Sequence, residues 1–399
     1  MSVLLRIRDV RIWRLAVPLK LRFEHAAAER EVADPVIVRV TGEPPYDQFS
    51  GYGETLARPY VTGETAETVP VDISRVFIPI LLEFRARDFI DAVRQIETLP
   101  LEADAHCVQA ARTAVELALI DLAGKVYGAT AADAGEALDL RGFGPPGCVR
   151  TARYSGMIVG RHWLKQRLIL RAQRIYGLRD FKMKVAMPGW EDRLRRVHGI
   201  LGRALRDGRA TLRVDANSAW TIDQALAAAP LLEKYGVSVL EQPMPRDDDG
   251  QLPLLDEKTQ LDLMADESLV TPLDAYRLIE QNAIRVLNIR IAKVGGLLPA
   301  LRMAHLALTN DLDVQLGCLV GETSLLTAAG SAFLQVCPQV RFLEGAFGRR
   351  LMRADITRPP LRFGYGGRLA APRGPGLGVK VDEAALERLA VEPAQTIKL

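Results

Sequence analysis

Eight short apolar segments, each ending in polar residues, recur between residues 151 and 345 at a nearly constant interval. They are TARYSG, FKMKV, TLRVDAN, VSVLEQP, LMADES, VLNIRIAK, DVQLGC and VRFLEG. Counted between the ends at 184, 215, 241, 266, 293, 318 and 344, the steps are 31, 26, 25, 27, 25 and 26 residues. About 26 residues is the length of one strand followed by one helix. Eight such units predict an α/β architecture, a (β/α)8-type barrel over residues 150–355 with its active site at the C-terminal strand ends. A doubly wound open sheet would not need eight evenly spaced units.

The flanks read differently. LRIRDVRIWRLAV alternates as a strand, DPVIVRV resumes after the polar stretch RFEHAAAERE, and GYGE (Gly51 to Glu54) closes a third strand. From about Glu64 to Gly128 the spacing turns helical, with Ala110, Ala114, Leu117, Ala118 and Asp121 on one helix. Strands followed by helices make residues 1–135 an α+β domain. The Gly- and Pro-rich LRGFGPPGCV (Leu140 to Val149) marks the boundary, and residues 356–399 form a C-terminal segment.

Three carboxylates occupy consecutive strand ends: Asp215 in VDAN, Glu241 in LEQP and Asp266 in ADES. On neighbouring barrel strands these acids would converge, and their mutual repulsion would raise their proton affinity. A hard divalent cation removes that penalty, and all-oxygen ligation favours Mg2+, with Mn2+ as the other ion such a site takes. No histidine lies at these ends. Lys184 comes one unit before the acids and Lys293, in RIAKVGG, one unit after. In a strand, Lys182 and Lys184 face the same side about 7 Å apart. Two like charges and a cation lower lysine proton affinity toward that of a working base. Lysines astride a metal suit removal of an α-proton from a carboxylate, with the enediolate held by charge.

These residues resemble the enolase superfamily, specifically its muconate lactonizing enzyme (muconate cycloisomerase) subgroup. The resemblance rests on the KxK pair Lys182 and Lys184, the acids Asp215, Glu241 and Asp266, and Lys293 of KVGG. AVELALIDLAGK (Ala114 to Lys125) resembles the last helix of that family's capping domain, and APRGPGLGVKVD (Ala371 to Asp382) its C-terminal return to the cap. The resemblance implies Asp215, Glu241 and Asp266 as Mg2+ ligands, Lys184 and Lys293 as acid/base groups on opposite faces, and Lys182 as the charge beside the substrate carboxylate. Asn217 is implied as a neighbouring contact, and Glu344 and Glu322 match recurrent acids near the substrate. From the capping segments RFEHAAAERE and LARPYVTGET, Phe23, Arg58 and Tyr60 are expected to line the pocket. Glu344-Gly345-Ala346 stands where dipeptide epimerases of this subgroup carry DxD, so a dipeptide is not the expected substrate. The mandelate racemase branch, with a His–Asp pair in place of the strand-six lysine, does not fit.

The expected function is thus a metal-dependent isomerase, a racemase, epimerase or cycloisomerase, acting on a small-molecule carboxylate. Loss of water from a hydroxy acid would use the same intermediate. A non-catalytic barrel would have lost an acid or both lysines, and a phosphate-binding barrel would carry a glycine-rich loop after the seventh or eighth strand. A net charge of +3 over 399 residues gives no reason to expect nucleic acid as a partner, and no apolar run approaches a membrane span. MSVLLRIRDVRIWRL, interrupted by arginines, does not read as a signal peptide. Cys107, Cys148, Cys318 and Cys337 lie far apart, as free thiols in a reducing cytoplasm do. The family resemblance implies a homo-oligomer.

Overall fold

A computed structural model describes residues 4–25, 28–144, 152–158 and 163–399, with backbone alone for 21–25, 28–30 and 349. Cys148 therefore lies outside the described residues, as does the side chain of Phe23. The chain opens with β1 (Ile7–Arg14), β2 (Val17–His25), β3 (Ala28–Ala33), β4 (Val36–Gly42) and β5 (Ser50–Thr55). The two-residue strands β6 (Glu102–Ala103) and β7 (His106–Cys107) follow. β1, β4 and β5 form an antiparallel sheet, and the last strand of the chain, β16 (Gln395–Lys398), joins it beside β1. The stretch 22–31, expected as a polar loop, instead belongs to the β2–β3 hairpin, where Phe23 pairs with Arg30 and His25 with Ala28. Lys20 N–H donates to Leu351 O (2.8 Å) and Arg353 N–H to Pro18 O (2.8 Å), which ties the hairpin to the segment leaving the barrel.

The helix Gln109–Tyr127 lies across this sheet, buried from Gln109 to Gly124. The glycines of GYGE make the approach feasible. A Cβ on Gly53 would stand 2.0 Å from Ala114 O, so only glycine lets strand and helix backbones meet this closely.

The barrel strands are β8 (Gly156–Ile158), β9 (Asp180–Lys184), β10 (Thr211–Asp215), β11 (Val239–Glu241), β12 (Asp262–Ala265), β13 (Ile284–Ile289), β14 (Asp313–Leu316) and β15 (Phe342–Leu343). They pair in parallel in chain order as one eight-stranded sheet. The ring closes at a bridge between Tyr154 and Leu343, with Ser155 N–H donating to Leu343 O (2.8 Å). The first strand starts at Gly156, so most of TARYSG precedes it. Strand-helix alternation holds through the helix Ser324–Val336, but β15 is followed by the short 3-10 turn Gly348–Arg350 in place of an eighth α-helix. The helices after β10 and β12 start on capping boxes, Thr221 with Gln224 and Thr271 with Asp274. Val239, Met264, Val286 and Phe342 form a small apolar cluster of their own, contributed by β11, β12, β13 and β15.

Acidic and basic side chains fasten the N-terminal domain to the barrel. Glu54, wholly buried at the end of β5, accepts from Thr323 N–H (2.7 Å), Thr323 Oγ1 (2.6 Å) and Leu326 N–H (2.9 Å) at the start of the helix Ser324–Val336. A helix N-terminus presents unsatisfied donors and positive potential, so a carboxylate there is well placed. Burial still pushes the Glu54 carboxyl up to about 7, against the pull of those bonds. Glu54→Ala should leave these donors unpaired and lower stability by about 3 kcal/mol, with Glu54→Gln recovering part of the loss. Urea denaturation checks this; an unchanged midpoint in Glu54→Ala would contradict the docking role.

Candidate active site

Register puts the site together. Lys184, Asp215 and Glu241 are level on β9, β10 and β11, and Lys182, Arg213 and Val239 are level two residues earlier. Since residues i and i+2 share a face, the lysines, Arg213 and the first two acids all point to one side of the sheet. Asp266 follows β12 by one residue. Lys293 is not on the sixth barrel strand as expected. β13 ends at Ile289, and Lys293 sits on the one-turn helix Ile291–Val294 beyond it.

Lys182 is the hub. Its Nζ lies 2.7 Å from Glu241 Oε1, 3.1 Å from Asp215 Oδ2 and 3.1 Å from Glu344 Oε1, with the side chains of all four residues at most 6% exposed. Burial alone would lower the Lys182 amine, but these three carboxylates hold it well above the ordinary lysine value. Lys182 is therefore a fixed positive charge. The other two lysines move the opposite way. Burial lowers Lys184, which donates to Asn217 Oδ1 (2.8 Å); Asp215 opposes that shift while Lys182 and Arg290 reinforce it. Burial likewise lowers Lys293, opposed by Asp266 and reinforced by Arg290. Lys293 Nζ donates to Asp266 O (2.5 Å), Asp266 Oδ1 (2.8 Å) and Asn288 O (2.9 Å), which accounts for three ammonium protons.

The acids were expected to converge on one another. Instead Lys182 stands against Asp215 and Glu241, while Arg290 and Lys293 hold Asp266. Among the described residues no three His, Cys, Asp or Glu side chains close on one point as a ready metal cage. Their chemistry nevertheless fits a hard dication. All donors are carboxylate oxygens, and Glu241 Oε2 is buried with no hydrogen-bond partner. Burial pushes Glu241 up to about 8 against the pull of Lys182, and Asp215, Glu344 and Asp266 add to the rise. Asp266 is already compensated: burial would raise it, but Arg290 and Lys293 bring it down to about 2.

The remaining expected residues fall in different places. Asn217, with a left-handed backbone (φ 46°), accepts from Lys184 and donates Nδ2 to Asp215 Oδ2 (3.2 Å) and Glu267 Oε1 (3.3 Å). Glu344 accepts from Arg213 Nη2 (2.7 Å) as well as pairing Lys182, and these cations bring it down to about 2 despite its burial. Glu322 accepts from Leu319 N–H (2.6 Å) in the loop after β14. Arg58 is buried in the N-terminal domain, where its guanidinium bonds Asp34 Oδ1 (2.9 Å), Ala57 O (2.7 Å) and Val320 O (3.0 Å). Tyr60 is 40% exposed on the helical turn Pro59–Thr62.

Sequence reasoning missed Arg213, Asn288 and Glu267. Arg213 was findable, since TLRVD places it two residues before Asp215. Asn288 Nδ2 donates to Glu241 Oε1 (2.9 Å) and had no such marker beyond its strand parity with Arg290. The glycines of KVGG have a structural purpose. Gly296 has φ 130°, and a Cβ there would lie 2.2 Å from Glu116 Oε1 of the helix Gln109–Tyr127. Glu116 also accepts from Leu298 N–H (3.0 Å), so these glycines serve domain contact and not a phosphate.

Residues 166–385, more than half of the chain, match the Enolase C-terminal domain-like family. The chain belongs to the enolase superfamily. An L-Lys-D/L-Arg epimerase of Methylococcus capsulatus is 29% identical over 386 residues, 94% of this chain and 99% of that protein. A muconate cycloisomerase 1-2 of Acinetobacter lwoffii is 29% identical over 348 residues, 85% of this chain and 84% of its own. The crystal structure of the muconate lactonizing enzyme from Pseudomonas fluorescens complexed with muconolactone has a TM-score of 0.81 at 26% identity, covering 98% of this chain and 100% of that one. Relatives named as epimerases and as muconate cycloisomerases are thus both similar to this chain, which is an enzyme of isomerase type. No helix among its described residues is long and apolar enough to cross a membrane.

Removing the hub should be costly whatever the reaction. Lys182→Met leaves buried carboxylates short of a counter-charge and should lower stability by about 3–5 kcal/mol. Chemical denaturation measures it, and a variant as stable as the parent would show that the acids do not depend on this amine.

Proposed function

We propose that the enzyme is a Mg2+-dependent racemase, epimerase or cycloisomerase that removes the α-proton of a small carboxylate and passes through an enediolate. One observation carries the reading. Two lysines of lowered proton affinity come from β9 and from the segment after β13, four strands apart in an eight-stranded ring, which supports a base on either side of the acids. The names of the epimerase and cycloisomerase relatives agree with this reaction class.

Asp215, Glu241 and Asp266 would hold the ion, which supplies a Lewis acid for the substrate carboxylate. Lys182 adds a permanent charge beside that carboxylate and favours the enediolate over the starting acid anion. In one direction Lys184, as the neutral amine, takes the Cα proton and becomes ammonium. Lys293, whose ammonium is already held by Asp266 and Asn288, returns a proton to the opposite face and becomes the amine. The reverse reaction exchanges their roles, and cycloisomerisation needs one of them. We also assign the enzyme to a reducing cytoplasm, as a homo-oligomer; Cys107, Cys318 and Cys337 are free thiols.

Exchange in D2O with Mg2+ tests the proposal on a panel of N-acyl amino acids, proline derivatives and muconates. Lys184→Ala should abolish α-proton exchange from one enantiomer and Lys293→Ala from the other. Absence of exchange with every carboxylate, or equal loss for both enantiomers in either variant, would refute the two-base reading. The sign of the pH dependence is fixed as well. The base must be neutral and both lysines are lowered, so exchange should rise with pH and level off below the ordinary lysine value of 10.5. A rate still climbing above that pH would contradict the burial argument.

A further inference from the structure

Two cations leave the end of β13, and only Lys293 has a part in the proposed proton transfers. Its side chain is 1% exposed, and its three ammonium protons are taken by Asp266 and by Asn288 O. Arg290 is the other cation, with its side chain 13% exposed. It directly follows β13, and its backbone is still extended (φ −120°, ψ 120°). Asn288, two residues earlier, bonds Glu241 Oε1 through Nδ2. Residues two apart share a face, so Arg290 points to the side on which the acids lie.

A guanidinium carries five N–H donors. Nη2 of Arg290 bonds Asp266 Oδ2 and lies 4.0 Å from Glu241 Oε1. Nε is buried with no hydrogen-bond partner, and Nη1 bonds no protein atom among the described residues. A guanidinium built only to hold a carboxylate commonly grips it with two parallel bonds, and this one does not. Asp266 has no need of a second cation either, since Lys293 Nζ stands 2.8 Å from its Oδ1. The barrel nevertheless makes room for Arg290. A Cβ on Gly317, just past β14, would lie 3.0 Å from Arg290 Cγ and 2.2 Å from Asn288 Oδ1, so a side chain there would crowd both residues.

Lys182, Lys184 and Lys293 each feel the charge of Arg290, and Arg290 feels those of Asp266, Glu241 and Glu344, so it stands among the groups assigned to the reaction. An arginine stays protonated in proteins, so it neither takes nor returns the α-proton. A fixed donor does serve an oxygen on which charge develops, because it is already oriented when the charge arrives. We propose that Arg290 is a further catalytic residue, donating from Nη1 to the substrate oxygen that gains charge as the α-proton leaves. No bond to Arg290 forms or breaks, and the proton still passes to the lysine. The carboxylate carries one negative charge over its two oxygens and the enediolate two, so this contact strengthens on the way to the intermediate and acts on kcat more than on KM. The inference rests on the reading that the reaction passes through an enediolate.

The test has a binding arm and a turnover arm, both on the full-length enzyme with Mg2+. Arg290→Lys keeps a cation for Asp266 and loses the Nη1 donor, and Arg290→Met loses both. Mg2+ affinity and the denaturation midpoint of Arg290→Lys should match the parent, which separates a lost contact from lost structure. In the binding arm, calorimetry compares acetate with acetohydroxamate, whose planar two-oxygen anion resembles an enediolate. The ratio of the two affinities should fall about tenfold in each variant, the size of one charge-assisted hydrogen bond, with acetate binding held. An unchanged ratio in both variants, or equal losses for the two ligands, overturns the proposal. In the turnover arm, kcat for α-proton exchange in D2O should fall about tenfold in Arg290→Lys and about a hundredfold in Arg290→Met at nearly constant KM. A rise in KM alone, or parental kinetics in Arg290→Met, overturns the role of Arg290 and leaves the isomerase standing. A falling hydroxamate ratio in variants of a parent that exchanges no carboxylate keeps the oxyanion contact and sinks the isomerase reading.

Discussion

A buried ammonium shared by three carboxylates organises this protein. Lys182 reaches Asp215, Glu241 and Glu344 at 2.7–3.1 Å, so the ends of β9, β10, β11 and the exit of β15 are bound to one charge. Desolvated charges are tolerated only when paired, and each of these groups is held in place by the cost of leaving the others. Arg213 extends the arrangement, bonding Glu344 and Ser155 (3.2 Å) and lying 4.6 Å above the Phe342 ring. Phe342 in turn packs with Val239, Met264 and Val286. A polar layer thus rests on an apolar one, and the chemistry sits on the polar side.

The N-terminal domain completes the structure by the same physics. Arg112 and Glu116, both buried on the helix Gln109–Tyr127, pair with each other and reach Gly295 O and Leu298 N–H beside Lys293. Gln109 Nε2 donates to Val270 O (3.0 Å), Arg58 to Val320 O, and Glu54 to no one but accepts from the helix after β14. The loops after the fifth, sixth and seventh barrel strands are therefore each gripped from the N-terminal domain. Val320 stands two residues before Glu322, so domain docking also positions the loop that carries this acid.

Much of this was legible in the sequence because its physical causes are periodic. A strand-plus-helix repeat exposes itself through spacing, and strand parity places Lys182, Lys184, Asp215 and Glu241 on one face. The period itself reached Asp266 and Lys293 at the ends of the next two units, and the resemblance to the muconate lactonizing enzyme branch gave these residues their implied roles. Other features were hidden because they depend on contacts distant in sequence. Nothing near Arg58 shows that its guanidinium is taken by Asp34 and Val320, and nothing near KVGG shows that Glu116 lies against Gly296. The missing eighth helix left no trace in the period, because the count runs between strand ends. The hairpin at 17–33 was obscured because RFEHAAAERE is polar and does not alternate.

The three strand-end acids pair with amines and a guanidinium, and the account holds that a dication is their other partner. Glu241 is the telling residue, with one oxygen on Lys182 and the other buried and unbonded. Calorimetric titration of Mg2+ into the parent and into Glu241→Gln tests this most directly. The account predicts one ion bound per chain by the parent and binding at least about tenfold weaker in the variant. No heat of binding in the parent at millimolar Mg2+, or equal affinity in the two proteins, would contradict it.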